Sequence, residues 1–266
     1  MLRITGRRAD GYHQLQTVFQ LLDFGDRLAF ELRDDGQIIK HTPLEGVAED
    51  AGLATRAARL LQQTCGTRLG VDIFLEKHIP LGGGLGGGSS DAATTLRVLN
   101  QLWGCQLSID TLAELGASLG ADVPVFVRGH SAWAEGIGEQ LTPITLPATR
   151  YLVVCPPVHL STARMFADPL LVRDQPPIRF EDFQQGERDN AFTPVARARS
   201  EDIDKLFHLL SAYATPQLTG SGAAIFCAFS PEDPALERAA HALPKNLPRF
   251  IAQGLNTSPL HAILPR

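Results

Sequence analysis

Residues 80–93 read Pro80-Leu81-Gly82-Gly83-Gly84-Leu85-Gly86-Gly87-Gly88-Ser89-Ser90-Asp91-Ala92-Ala93, a stretch that offers little bulk for a core. Its surroundings decide its meaning. Before it, Val71, Ile73 and Leu75 alternate with Asp72, Phe74 and Glu76, largely the period of a half-buried strand. After it, Leu96, Leu99, Leu102 and Trp103 fall at helical spacing, and Ser89, Ser90 and Asp91 suit an N-cap and first turn. A loop that ends on a helix N-terminus offers an anion unpaired backbone N–H groups and the positive end of the helix dipole, and glycines permit close approach. The stretch therefore reads as a phosphate cradle and not as a hinge. Six glycines in seven residues cost backbone entropy, so a function is expected in return.

The same residues exclude two other phosphate loops. A P-loop needs Lys followed by Ser or Thr after its last glycine, whereas Gly88 is followed by Ser89 and Ser90. Gly82, Gly84 and Gly87 satisfy G-x-G-x-x-G, but the alternating strand before them suits an antiparallel sheet better than a buried parallel Rossmann strand.

With 266 residues, 44% hydrophobic and 20% charged, the chain is long enough for two domains or one large one. A net charge of -5 and a pI near 5.9 argue against a nucleic-acid-binding surface as the main function. No apolar run reaches the length of a membrane span, and Met1 to Asp10 carries three arginines without a signal peptide's apolar segment. The cytoplasm is the expected compartment. Cys65, Cys105, Cys155 and Cys227 are far apart, so core thiols are expected, with neither a zinc site nor a disulfide framework.

Farther out, Arg27 to Leu32 and Tyr151 to Val154 read as strands, and Leu53 to Gln63, Ile203 to Tyr213 and Ala235 to Leu243 as helices. Ser108 caps a helix that runs to Leu119. Asp122 then lies in a short connection that leads into a Val-Pro strand, and Pro169 to Gly186 reads as a loop. Leu146 to Thr149 is the expected boundary between domains 1–148 and 149–266.

The loop resembles the Pro-x-Gly-x-Gly-Leu-Gly-x-x-Ser-Ser-x-Ala-Ala motif of the GHMP kinase superfamily. Leu218-Thr219-Gly220-Ser221-Gly222-Ala223-Ala224 resembles its third motif, and Gly120-Ala121-Asp122 a segment of its active site. The resemblance implies an α+β chain: an N-terminal domain of the ribosomal protein S5 domain 2-like type and a ferredoxin-like C-terminal domain, with ATP and substrate in the cleft between them. It further implies that ATP, with Mg2+, is held by Pro80, Leu81, Gly82, Gly83, Gly84, Leu85, Gly86, Gly87, Gly88, Ser89 and Ser90. Asp122 is then the catalytic candidate, accepting the proton of the attacking hydroxyl. Such a role is modest, since phosphoryl transfer depends mainly on positioning and charge neutralisation.

Gly6-Arg7-Arg8-Ala9-Asp10-Gly11-Tyr12-His13 resembles one branch of these kinases, whose substrate carries a cytidine diphosphate group. By that resemblance Tyr12 and His13 contact the cytosine, and Phe166, in Ser161-Thr162-Ala163-Arg164-Met165-Phe166, stacks on its other face. A tyrosine ring can stack on a base while a histidine bonds its polar edge. The implied reaction transfers the ATP γ-phosphoryl group to the 2-hydroxyl of a cytidine-diphosphate-linked methylerythritol, a step of non-mevalonate isoprenoid synthesis. No nucleic acid or membrane partner is expected, and the chain is expected as a monomer or homodimer.

The branch also carries a Pro-Ala-Lys-Leu-Asn segment ahead of the residues matching Leu2 to Gly6, whose lysine pairs with the catalytic Asp. No residue here can be assigned to that lysine, and a truncated or misplaced start is the expectation. Two alternatives stay open: a GHMP kinase for another small alcohol, such as mevalonate or homoserine, and a catalytically impaired nucleotide-binding protein.

Overall fold

A computed structural model describes residues 1–41 and 52–264. The chain forms two compact units, each assembled from separated stretches.

The first unit takes in Met1–Asp23, Gly82–Leu85 and Ser131–Asn256. Strands β1 (Leu2–Arg7), β2 (His13–Phe19), β7 (Ala132–Glu135) and β8 (Gln140–Pro143) form an antiparallel sheet in that order. A second antiparallel sheet has the order β10 (Pro216–Leu218), β11 (Ile225–Phe229), β9 (Arg150–Val154), β12 (Arg249–Leu255) and β3 (Leu21–Leu22). Helices α5 (Thr162–Ala167), α6 (Phe180–Gln184), α7 (Thr193–Arg199), α8 (Glu201–Ser211) and α9 (Ala235–Ala242) complete the unit. In α8 the buried positions Ile203, Leu206, Phe207 and Leu210 recur at helical spacing, and they share one core with Leu152 and Val154 of β9 and Ile225, Cys227 and Phe229 of β11.

The second unit takes in Phe24–Leu81, Gly86–His130 and Thr257–Arg266. Its three-stranded sheet has β6 (Gly70–Glu76) at the centre, antiparallel to β4 (Arg27–Arg33) and parallel to the short β5 (Ile38–Lys40). Val71, Ile73 and Leu75 are buried on the face that meets α1 (Leu53–Cys65) and α2 (Gly87–Leu102), as their alternation predicts. Helices α3 (Ile109–Leu119), α4 (Val123–Arg128) and α10 (Leu260–Ile263) follow. The Ser108 hydroxyl accepts from Thr111 N at 3.1 Å and caps α3, as expected.

Four expectations need correction. Val123 to Arg128 is a helix and not a strand: Pro124 stands in its first turn, where no N–H is needed, and Val123 and Val127 join the core one turn apart. Helix α2 begins at Gly87 behind Gly86, so Ser89 and Ser90 lie inside its first turn and do not cap it. Within the expected loop 169–186, Phe180–Gln184 is helical, with Asp182 Oδ2 accepting from Arg179 N at 2.8 Å. Cys65 and Cys105 are joined as a disulfide with Cα atoms 5.6 Å apart. Cys155 and Cys227 are buried thiols, pushed up to about 11 and about 12 by desolvation.

Candidate active site

Of the glycine stretch, Gly82–Leu85 belongs to the first unit, and Pro80, Leu81 and the residues from Gly86 onward belong to the second. In the first unit, Gly83 and Gly84 lie against the turn that precedes β11. Ala224 N donates to Gly83 O at 3.1 Å, and the Thr219 hydroxyl donates to Gly84 O at 2.8 Å. A Cβ on Gly84, whose φ is +70°, would stand 2.6 Å from Thr219 O and 2.9 Å from Gly222 O. Only glycine fits there without displacement. Leu85 packs with Val153, Cys155 and Ala224, which anchors the loop in an apolar cluster. The two glycine motifs are thus hydrogen-bonded to each other.

The buried amide of Asn190 holds the second motif in place: its Nδ2 donates to Leu218 O at 2.8 Å and Gly220 O at 2.9 Å, and its Oδ1 accepts from Phe192 N at 2.9 Å. The sequence marks residues 189–194 only as a departure from the family's Asn-Asp-x-Glu type of pattern and assigns Asn190 no role, because the carbonyls its amide donates to lie 28 and 30 residues away.

In the second unit, Gly86 takes a left-handed conformation, φ 71°, and opens α2 with no side-chain cap. The first N–H groups of a sixteen-residue helix are therefore left to whatever ligand approaches. The start of α2 is fixed from beneath. Lys77 Nζ donates to Asp91 Oδ2 at 2.9 Å and to Asp26 Oδ2, while His78 N and Ile79 N donate to Asp26 Oδ1 at 2.7 and 2.8 Å. Burial pushes the Asp91 carboxyl up to about 6, against the pull of Lys77. Asp26 moves the other way: burial opposes ionisation, but the bonds from Lys77 and the two amides hold its carboxyl below the usual range. Two carboxylates share one cation, and the one with more hydrogen bonds has the lower pKa. Sequence reading gave Asp91 a place in the first turn and missed Lys77 and Asp26.

Asp122 stands at the N-terminus of α4 without capping it. Its side chain stays accessible to water, yet the protein around it removes enough hydration to raise its pKa above the ordinary carboxylate value. Among the described residues, no charged partner offsets that shift.

The β1–β2 hairpin of the first unit carries Tyr12 and His13. Tyr12 is 61% exposed, and its N–H donates to Asp10 Oδ1 at 3.2 Å. The His13 ring stacks on Phe166 with centroids 4.8 Å apart, and Phe192 meets Phe166 edge-on at 4.9 Å. His13 Nε2 is buried with no hydrogen-bond partner among the described residues. The structure thus joins two of the three residues expected at the base, with Tyr12 adjacent in sequence and open to solvent.

The pattern of the GHMP kinases N terminal domain matches residues 52–130. A 4-diphosphocytidyl-2-C-methyl-D-erythritol kinase of Ectopseudomonas mendocina is 52% identical over 98% of this chain and 89% of its own length. One from Xanthomonas oryzae pv. oryzae is 54% identical over 97% of this chain and 88% of its own. The chain belongs to the 4-diphosphocytidyl-2-C-methyl-D-erythritol kinase family. Among solved structures, a 4-(cytidine 5'-diphospho)-2C-methyl-D-erythritol kinase superposes with a TM-score of 0.82 at 32% identity, over 95% of this chain and 94% of that one. A homoserine kinase of Cytophaga hutchinsonii, with a TM-score of 0.67 at 18% identity over 93% and 89% of the two chains, shares the fold. The α+β GHMP kinase fold expected from the motifs is therefore the one found, and the chain is a small-molecule kinase of this family.

Proposed function

We propose that this kinase transfers the γ-phosphoryl group of ATP to the 2-hydroxyl of 4-diphosphocytidyl-2-C-methyl-D-erythritol, in the methylerythritol phosphate pathway to isoprenoid precursors. The observation that carries the reading is the uncapped glycine start of α2 in a chain of this family. Residues Pro80 to Ser90 take the nucleotide phosphates, with backbone N–H groups as donors. His13 and Phe166, with Tyr12, take the cytosine: His13 Nε2 is a buried polar atom whose hydrogen bond is still to be made. Asp122 accepts the proton of the attacking hydroxyl, and its desolvated carboxyl is a better acceptor than one in free water.

Among the described residues no three His, Cys, Asp or Glu side chains are grouped to hold a metal. Magnesium would be carried by the nucleotide phosphates held at Pro80 to Ser90, where it would supply charge neutralisation. Residues 1–148 are proposed as the ATP-binding domain and 149–266 as its companion, in a monomer or homodimer. No described helix is long and apolar enough to cross a membrane, and a cytoplasmic enzyme is proposed.

The test is ADP release with ATP, magnesium and 4-diphosphocytidyl-2-C-methyl-D-erythritol, with mevalonate and homoserine as rival acceptors. Release that depends on the cytidylyl substrate supports the proposal, and turnover of a rival alone overturns it. The lack of a cation beside Asp122 among the described residues favours a second reading, in which this chain binds nucleotide without turnover. ATP binding with no ADP release from any acceptor would establish that one.

A further inference from the structure

We propose that Arg173 is a positioning residue for base recognition, its guanidinium bracing the chain at Phe166 so that the His13–Phe166 stack is ready before the base arrives. The inference rests on the reading of His13 and Phe166 as the cytosine site and adds to it a residue outside that set.

Helix α5 has six residues, too few to be stable alone, and it ends at Ala167. Arg173 gathers the backbone that follows. Its Nη2 donates to Phe166 O and Asp168 O, each at 2.8 Å, and its Nη1 donates to Leu171 O at 3.0 Å. One rigid fork thus satisfies three carbonyls at the end of the helix, where a cation is also favoured by the dipole. Beyond it, Asp168 is held by Arg199 at 2.7 and 3.2 Å and by Leu170 N at 2.9 Å. The Phe166 ring is held separately, stacked on His13 and perpendicular to buried Phe192. Backbone and ring are therefore both fixed, and Arg173 supplies the backbone half.

The same guanidinium also acts on His13 through space. Desolvation lowers the His13 pKa first, and the positive charges of Arg173 and then of Arg7, on β1, lower it further. The negative charge of Asp168, the residue that follows α5, is paired with Arg199. His13 is kept as a neutral imidazole, with one nitrogen donating and the other accepting, which matches the mixed edge of a nucleobase.

The test is binding of cytidine 5'-diphosphate by calorimetry, together with an NMR titration of the His13 ring, on the full chain and on Arg173→Gln, Arg173→Lys and His13→Ala. Arg173→Gln is expected to weaken cytidine diphosphate roughly 10-fold, the cost of a lost charge-assisted bond, and to leave ATP binding unchanged. It should also move the His13 pKa upward. Arg173→Lys keeps the charge without the fork, so it should restore the His13 titration but not the affinity. If Arg173→Gln binds cytidine diphosphate and titrates as the unaltered protein does while His13→Ala loses binding, the role of Arg173 is overturned and the base site stands. If the unaltered protein does not bind cytidine diphosphate, or His13→Ala binds it equally well, the base-site reading falls and this inference with it. An equal loss of both ligands in Arg173→Gln and Arg173→Lys, with a lowered Tm, would make Arg173 a structural residue only.

Discussion

Asp91, near the start of α2, and Asp122, at the start of α4, are carboxylates of one unit pushed in the same direction by burial. Their surroundings differ. Asp91 is 4% exposed, bonded to Lys77, and shares that lysine with Asp26. Asp122 is open to water, bonds nothing in its own helix cap, and has no charged partner among the described residues. A buried carboxylate bonded to a lysine serves the scaffold. One that is desolvated, reachable and unpaired is available for a proton. Both carboxyls shift upward, and their hydrogen bonds tell the two apart.

The contrast breaks most visibly at Asp122. Asp122→Asn should lower kcat by roughly 100- to 10,000-fold with Tm nearly unchanged, and a variant that keeps kcat within about threefold would remove Asp122 from the chemistry. Lys77→Met should do the opposite, lowering unfolding free energy by about 3–5 kcal/mol because two buried carboxyls lose their cation. Urea denaturation reads this directly, and an unaltered midpoint would deny the network its structural role.

Acidity separates the partners within that network. The folded pKa of Asp91 lies above its unfolded value, so its contribution is largest below about pH 4 and is lost as pH rises through about 6. Asp26, held below its unfolded value, contributes above the ordinary carboxylate range and loses that contribution as pH falls. Asp91→Asn should abolish a decline of about 3 kcal/mol at most between those limits, so a slope that persists in the variant would assign it elsewhere. The smallest effect is expected at Gly84→Ala, about 1–2 kcal/mol of strain, seen as a raised KM for ATP before any change in kcat.

Much of this was legible in the chain because its signals are local. The alternation in β6, the spacing in α2 and the Ser108 cap each lie within one element, and the glycine motifs announce themselves by composition. Val123 to Phe126 misled because Val-Pro-Val-Phe is rich in strand formers, while the packing of Val123 and Val127 that selects a helix is tertiary. The Lys77 network, the Asn190 amide and the Cys65–Cys105 bridge were invisible for a different reason: their partners lie 51, 28 and 40 residues away with no period linking them. Site residues carried by a resemblance were named before any geometry, whereas the residues that hold them in place required coordinates.

The disulfide closes β6, residues 80–90 and α2 into a single covalent ring. Leu81, at the exposed tip of that ring, is a natural point for proteolytic cleavage. A single cut there would leave one nicked molecule, still migrating as a single band on a denaturing gel until a thiol reductant parts it in two. In the oxidised chain, a cut in the glycine stretch and loss of the segment that follows it are separate events.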